Sequence, residues 1–188
     1  MPLTAHEIEP VLACWDEVDG ARARLINYSE NHTFQLDTPA RGSFTLRIHR
    51  TGYQSRDSVE SELAWLQALL RDTALPVPEP IPGRNGQVLQ CFETGQGERM
   101  AVLFRHIPGS EPQSDDDLNG LFVTLGAYAA TMHNHVTIWQ RPPAFERQVW
   151  QAATILDSDG LWGDWRMAPG VGNHNRPVLD RLESALWL

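Results

Sequence analysis

The sequence predicts an α+β fold, in which a five-stranded antiparallel sheet carrying one helix is followed by a helical region. Three observations predict this fold. Short runs rich in β-forming residues fill positions 24–49 and 87–105. An amphipathic helical pattern over 57–71 separates the third of these runs from the fourth. A longer helical pattern begins near position 114.

The chain opens with a predicted short helix and three strands. Thr4 and Glu7 have the spacing of a capping box, in which each side chain satisfies a free backbone N–H of the first helical turn. Beyond this helix, the runs 24–28, 32–36 and 44–49 are separated by polar turns. We expect these three runs to form an antiparallel meander.

The second predicted helix begins at Asp57, which has Glu60 in the reciprocal capping position. One side of this helix is an apolar stripe made of Val59, Leu63, Leu66 and Leu70. The proline-rich segment 75–82 cannot be helical, so we expect a stiff extended connector.

Two further strands, 87–92 and 99–105, are predicted to form a hairpin that turns at 95–97. They complete the five-stranded sheet. We therefore assign residues 1–106 to a first lobe and residues 107–188 to a connecting segment and the beginning of a helical lobe.

Helical patterns dominate the region after position 106. Ser114, with Asp117 three residues on, is predicted to cap a third helix. The residues expected on the buried side of this helix are Leu118, Leu121, Phe122, Leu125, Tyr128, Ala129 and Met132. A last helix begins near Pro177, and we expect self-association through its apolar stripe, which consists of Leu179, Leu182, Leu186, Trp187 and Leu188.

Composition argues against several classes of partner. The chain has 188 residues, of which 15 are basic and 24 acidic, giving a net charge of −9. This balance argues against nucleic-acid binding, which depends on neutralising phosphates.

The longest strongly apolar run, 100–104, is far shorter than the roughly 20 residues of a membrane span, and the first residues do not resemble a signal peptide. Cys14 and Cys91 lack metal-ligand spacing. We expect a cytoplasmic protein that binds neither nucleic acid nor membrane.

The order of the elements is that of the small lobe of protein-kinase-like folds, and four short motifs add to this likeness. They are Phe-Thr-Leu-Arg47-Ile-His-Arg on the third strand, Ser-Glu62-Leu-Ala-Trp-Leu on the next helix, Val-Leu-Phe-Arg105-His-Ile-Pro-Gly at the end of the fifth strand, and Leu-Gly-Ala-Tyr-Ala-Ala-Thr-Met-His133. Together the motifs resemble the aminoglycoside phosphotransferase and choline kinase family, closest to its homoserine-kinase-type-II-like branch. The resemblance covers essentially the whole chain.

This resemblance implies an ATP site built on the third strand. In the family, a basic residue of that strand holds the α- and β-phosphates, and a helix glutamate fixes its rotamer. Arg47 and Glu62 match these positions. The family's usual residue is lysine, whereas this chain contains no lysine, and arginine would hold phosphate bidentately. We expect Arg47 and Glu62 to form an ion pair in the cleft between sheet and helix. Taken on its residues alone, the pair also fits an ordinary strand-to-helix salt bridge.

The same resemblance places adenine at the segment that follows the fifth strand. The Arg105 carbonyl and the Ile107 N–H would pair with the base, and Phe104 would close the back of the pocket. Ser29 and Asn31 match the phosphate-covering loop between the first two strands, which here contains no glycine. The alternative for the segment after the fifth strand is a plain linker, and the alternative for the loop between the first two strands is a solvated turn.

Two polar clusters are interpreted as structural. His133 and His135 lie two residues apart on a helix and therefore point to different faces, so we expect no metal site there. We expect His133 to pack at the end of the third helix. The acidic run 115–117 is interpreted as favourable negative charge at a helix N-terminus.

Phosphoryl transfer in the family requires a His/Asn-Xaa-Asp loop, an asparagine five residues later and a further metal-binding aspartate. No segment of this sequence has that pattern. We therefore expect the N-terminal, roughly half-length piece of an ATP-dependent small-molecule kinase, inactive alone, with Mg²⁺ ligands beyond Leu188. The acceptor would be a hydroxyl of an amino alcohol, homoserine or an aminoglycoside-like molecule. The alternative is a non-catalytic nucleotide-binding or scaffold protein with a kinase-like small lobe.

Overall fold

The computed structural model describes residues 3–95, 97–113, 117–160 and 163–186. They form two compact units, Met1–Glu146 and Arg147–Leu188. The helices are α1 (Ala5–Leu12), α2 (Arg56–Asp72), α3 (Leu118–Ile138), α4 (Ala152–Leu156) and α5 (Arg176–Leu186). The strands are β1 (Arg22–Tyr28), β2 (Asn31–Thr38), β3 (Gly42–His49), β4 (Pro80–Ile81), β5 (Leu89–Thr94) and β6 (Gly97–Arg105).

The strands of the first unit form one antiparallel sheet of six strands, with the order β1-β2-β3-β6-β4 and with β5 paired to another part of β6. This corrects the prediction of five strands. The additional strand lies in the proline-rich connector, where Pro80 and Ile81 pair with Phe104 and Leu103. Proline is tolerated there because β4 is an edge strand, on which a missing N–H breaks no central ladder. The boundary predicted at position 106 falls just after β6, inside the first unit.

One face of the sheet carries the main core. The alternating residues Phe34 and Leu36 of β2 and Phe44, Leu46 and Ile48 of β3 are buried on this face. Helix α1 covers them with Ile8 and Val11, followed by Trp15 and Val18. The predicted Thr4–Glu7 capping box at the start of α1 is confirmed.

Helix α2 packs against the opposite face of the sheet, with its apolar contacts on β5 and β6 and further contacts to β4. Val59 and Leu63 of α2 form a second cluster with Leu89, Val102 and Phe104. Strands β2 and β3 present another set of side chains on this side, which we call the Arg47 face and which consists of Asn31, Thr33, Gln35, Thr45, Arg47 and His49. All of these except His49 are half-buried.

Both predicted helix caps need revision. The cap of α2 is Ser55 and not Asp57, since the Ser55 Oγ accepts the Ser58 N–H at 3.0 Å and Asp57 lies within the first turn. The cap of α3 is Asp117, whose Oδ1 accepts the Gly120 N–H at 3.1 Å. The cap predicted at Ser114 lies outside the described residues, as do Asp115, Asp116 and Gln96 of the predicted hairpin turn. Each helix start offers two polar residues close together in the sequence, and spacing alone could not choose between them.

The prediction that α3 buries its apolar side is wrong for most of the helix. Leu121, Phe122 and Leu125 are exposed, Phe122 to 67%. The only fully buried residue of α3 is His135, near its C-terminal end, where α3 meets α2. An apolar stripe shows which side of a helix can be buried, but not whether a neighbour covers it.

The second unit contains α4, α5 and a short 3₁₀ helix, Trp165–Met167. An apolar cavity of about 290 Å³ lies among Leu156, Trp165, Ala168, Val171, Leu179, Leu182 and Leu186. Leu182 and Leu186 of the predicted stripe are nevertheless exposed, whereas Trp187 and Leu188 lie outside the described residues. Across the described parts of both units, we find no helix long and apolar enough to cross a membrane.

Candidate nucleotide-binding site

Arg47 and Glu62 meet where α2 crosses the sheet. Because Leu46 and Ile48 point into the main core, alternation along β3 turns Arg47 to the opposite face, toward α2. The Arg47 Nη1 lies 2.7 Å from the Glu62 Oε1, and the two side chains are only 22% and 18% exposed. The predicted ion pair is confirmed, and its partial burial strengthens it relative to a surface pair.

Phe104 supports the same guanidinium from β6. The ring is buried, and the Arg47 Cζ lies 5.1 Å from its centroid, within the range of a cation–π contact. Glu62 and Phe104 together hold Arg47 beside the end of β6.

Part of the Arg47 guanidinium has no partner. Its Nε and Nη2 are buried and make no hydrogen bond to any residue that the structure describes. Buried donors are normally satisfied, and arginine presents its donors in a fork that matches phosphate or carboxylate oxygens. The donor set therefore fits the phosphates of a nucleotide.

The segment after β6 contains the two backbone groups that the resemblance assigns to adenine, the Arg105 carbonyl and the Ile107 N–H. The Arg105 side chain pairs with Glu79, Nε to Oε2 at 3.1 Å, and is 57% exposed. His106 N–H donates to the Ser43 carbonyl at 3.2 Å, so the adjacent Phe44–Arg105 pair is of the non-hydrogen-bonded type. The Arg105 carbonyl is consequently turned away from β3. Within the described ranges, no backbone hydrogen bond involves the Ile107 N–H.

The two candidate loop residues have different surroundings. Ser29 lies at the β1–β2 turn, where its N–H donates to the Asn31 carbonyl at 3.1 Å. The Ser29 side chain hydrogen-bonds the Glu30 carboxylate and lowers the pKa of Glu30, so this turn carries a negative charge. Asn31 begins β2, and its Oδ1 is buried. The structure therefore places Asn31 on the same face as Arg47 and leaves Ser29 at the turn.

His49 is a residue of this face that the sequence reasoning missed. It follows Arg47 by two positions on β3 and is buried. Burial, assisted by the positive charge of Arg47, lowers the pKa of His49 to about 4. The Nδ1 of His49 lies 2.9 Å from the Gln54 Oε1. Strand alternation from Arg47 is the signal that could have identified it.

A second polar cluster joins α2 to α3. The Trp65 Nε1–H donates to the His135 Nδ1 at 3.3 Å, which places the ring proton on Nε2, 3.1 Å from the Asp72 Oδ2. The prediction for His133 is wrong, because His133 is exposed and His135 is the histidine that packs. Among the residues with described positions, no three His, Cys, Asp or Glu side chains are arranged to hold a metal ion.

Comparison with known proteins identifies the family. The model of the phosphotransferase enzyme family matches residues 23–186. The chain belongs to this family. Two solved structures are similar to this chain. One, a microcompartment-associated aminopropanol kinase, is 32% identical with a TM-score of 0.82, over 96% of this chain and 55% of the other.

The second solved structure is the amicoumacin kinase hAmiN in complex with AMP-PNP, Ca²⁺ and Ami, which is 22% identical with a TM-score of 0.66. The match covers 84% of this chain and 49% of that one. An uncharacterized protein of Deinococcus radiodurans is 26% identical over 110 residues, which are 58% of this chain and 31% of that protein. The chain thus spans about half the length of both kinases, and the fold predicted for it is confirmed.

Glu62→Gln is expected to lower the free energy of unfolding by about 1–3 kcal/mol, because it leaves a mostly buried guanidinium without its counter-charge. Urea denaturation followed by circular dichroism measures the change. The matched control is Glu60→Gln on the same helix, since the Glu60–Arg56 pair is about half exposed, at 48% and 53%. We expect less than about 0.5 kcal/mol for this control, and equal losses in the two variants would contradict the prediction.

Proposed function

We propose that the chain binds ATP through the Arg47 face and the segment 104–107. It would serve as the nucleotide-binding part of a kinase that transfers the γ-phosphate to a hydroxyl of a small molecule. The observation that carries this proposal is the Arg47 guanidinium, fixed by Glu62 and Phe104 yet retaining buried N–H donors without partners among the described residues. In an ordinary structural ion pair, such donors would already be satisfied in the protein without ligand.

The proposed roles follow from the placement of each group. Arg47 holds the α- and β-phosphates, and Glu62 fixes its rotamer. The Arg105 carbonyl accepts from the adenine amino group and the Ile107 N–H donates to a ring nitrogen, while Phe104 closes the back of the pocket. A bound Mg²⁺ would neutralise charge on the phosphates.

Ser29 and Asn31 are proposed to contact phosphate from the β1–β2 turn. The Glu30 carboxylate of that turn opposes anion binding. It is the observation that favours the alternative, a non-catalytic nucleotide-binding or scaffold protein.

For the acceptor we propose an amino alcohol, with homoserine and aminoglycoside-like molecules as the other candidates. The support is the 32% identity to an aminopropanol kinase.

We further propose that the catalytic aspartate and the Mg²⁺ ligands are not in this sequence, which lacks the His/Asn-Xaa-Asp pattern, and that the chain alone transfers no phosphate. The exposed apolar residues of α5, among them Val178, Leu182 and Leu186, support self-association through that helix.

A coupled assay of ADP release tests these proposals. The 188-residue chain should bind ATP with Mg²⁺ in the roughly millimolar range and release no ADP with any acceptor, because preorganised metal ions and a positioned base supply most of the rate. A gene product that also carries an intact aspartate–asparagine loop should turn over an amino alcohol. Acceptor-dependent release of ADP by the 188-residue chain would contradict the proposal that the catalytic aspartate and the Mg²⁺ ligands are not in this sequence. If the longer protein releases no ADP with any acceptor, the scaffold alternative would be favoured.

A further inference from the structure

Within the described part of the chain, four buried polar atoms of the Arg47 face have no hydrogen-bond partner. They are the Nε and Nη2 of Arg47, the Oδ1 of Asn31 and the Nε2 of His49. None of the four bonds to another in this structure. Each such atom is costly when left unsatisfied, so their clustering requires an explanation.

The strand register brings the three side chains together. Asn31 on β2 is the direct cross-strand partner of His49 on β3, and Thr33 is the partner of Arg47. Arg47 and His49 are two residues apart on one strand, so Asn31, Arg47 and His49 share a face. The positive charge of Arg47 also helps to lower the pKa of His49.

The chemistry of the four atoms is complementary. The His49 Nδ1 lies 2.9 Å from the Gln54 Oε1, an atom that can only accept, so the ring proton is on Nδ1 and Nε2 is a bare acceptor. The Asn31 Oδ1 is also an acceptor. The two unpartnered atoms of Arg47 are donors on the side edge of its guanidinium, and Nη1 carries the bond to Glu62. Two donors and two acceptors without partners therefore lie on the same face of the sheet.

We propose that Asn31 and His49 are positioning residues for Arg47, which donates from Nε and Nη2 to their two acceptors when its outer edge holds a phosphate. All five N–H groups of the guanidinium then have partners. Nη1 donates one hydrogen to Glu62, Nε and Nη2 donate one each to His49 and Asn31, and the remaining hydrogens of Nη1 and Nη2 bind two phosphate oxygens side by side.

This arrangement accounts for an arginine where related kinases use lysine. An ammonium has three N–H groups, which Glu62 and a phosphate can satisfy without further acceptors, whereas a guanidinium has five. Asn31 and His49 supply the additional acceptors. The inference rests on the proposed function, because it concerns how the same site holds its nucleotide.

The test is a double-mutant cycle on ATP binding by the 188-residue chain, titrated in the presence of Mg²⁺. His49→Leu and Asn31→Leu should each weaken ATP binding about 5- to 20-fold. In an Arg47→Lys background, where no side-edge donors exist, His49→Leu should not weaken binding further, and Asn31→Leu should cost only its own phosphate contact. His49→Gln, which keeps an acceptor at the ε position, should restore binding to within about twofold of the wild type.

Urea denaturation without nucleotide separates positioning from stability. Because the Nε2 acceptor of His49 is unpartnered in the free protein, the urea midpoint lost by His49→Leu comes from its bond to Gln54 and should be the same in the wild-type and Arg47→Lys backgrounds. For His49→Leu, an equal loss of affinity in the wild-type and Arg47→Lys backgrounds, or a larger loss of urea midpoint in the wild-type background than in Arg47→Lys, would overturn the inference while leaving the proposed function intact. Failure of the wild-type chain to bind ATP at any concentration would overturn both.

Discussion

Trp15→Ala is expected to lower the free energy of unfolding by about 3–5 kcal/mol, the cost of deleting a large buried aromatic side chain. Trp15 is completely buried in the main core, and its Nε1–H donates to the Ile81 carbonyl at 2.9 Å. Alanine would leave a cavity between α1 and the sheet and would also leave a buried carbonyl of β4 without its donor. The loss can be measured by urea denaturation followed by circular dichroism.

Two further variants separate the contributions to this loss. Trp15→Phe keeps most of the ring volume and removes the hydrogen bond, so we expect a smaller loss of about 1–2 kcal/mol. Trp150→Ala is the matched control, because Trp150 is 57% exposed. A loss for Trp15→Ala no larger than that of the control would show that α1 and Trp15 do not anchor the sheet.

Local patterns predicted the elements of the fold well, because each one depends on nearby residues. The capping box of α1 and the apolar alternation of β2 and β3 are examples, and they fix which residues enter the main core. Strand β4 was missed, since two residues in a proline-rich stretch pair only because β6 has a free edge beside them. That edge is a property of the sheet and not of the segment.

The same distinction applies to the site. The Arg47–Glu62 pair was predictable, because a strand alternation and a helix stripe each direct one side chain to the same cleft. The grouping of Asn31 with His49 was not, since it depends on the register in which β2 and β3 pair across their connecting turn. Likewise, the exposure of Phe122 depends on what covers α3 and not on its own pattern.

His49 should make the protein markedly less stable in mild acid. Its ring is 2% exposed, and burial, followed by the nearby charge of Arg47, lowers the pKa of His49 from 6.5 to about 4. The Gln54 hydrogen bond and the Glu62 charge act in the opposite direction but are weaker. The unfolded chain gains a proton on this ring as the pH falls below about 6.5, whereas the folded chain gains it only near 4.

The protein's free energy of unfolding is therefore expected to fall as the pH is lowered from 6.5 to 4. Because a shift of one pKa unit corresponds to about 1.36 kcal/mol, His49 should account for a loss of about 3 kcal/mol. Urea denaturation at intervals from pH 7 to pH 4 measures this slope. His49→Gln has no titratable group at this position. Over the same pH range it should therefore lose about 3 kcal/mol less of its free energy of unfolding than the wild type loses. His6→Gln is the control, because the His6 side chain is 91% exposed, and it should keep the full wild-type slope. If His49→Gln and the wild type lost stability in parallel, the buried imidazole would not be the group that couples folding to pH.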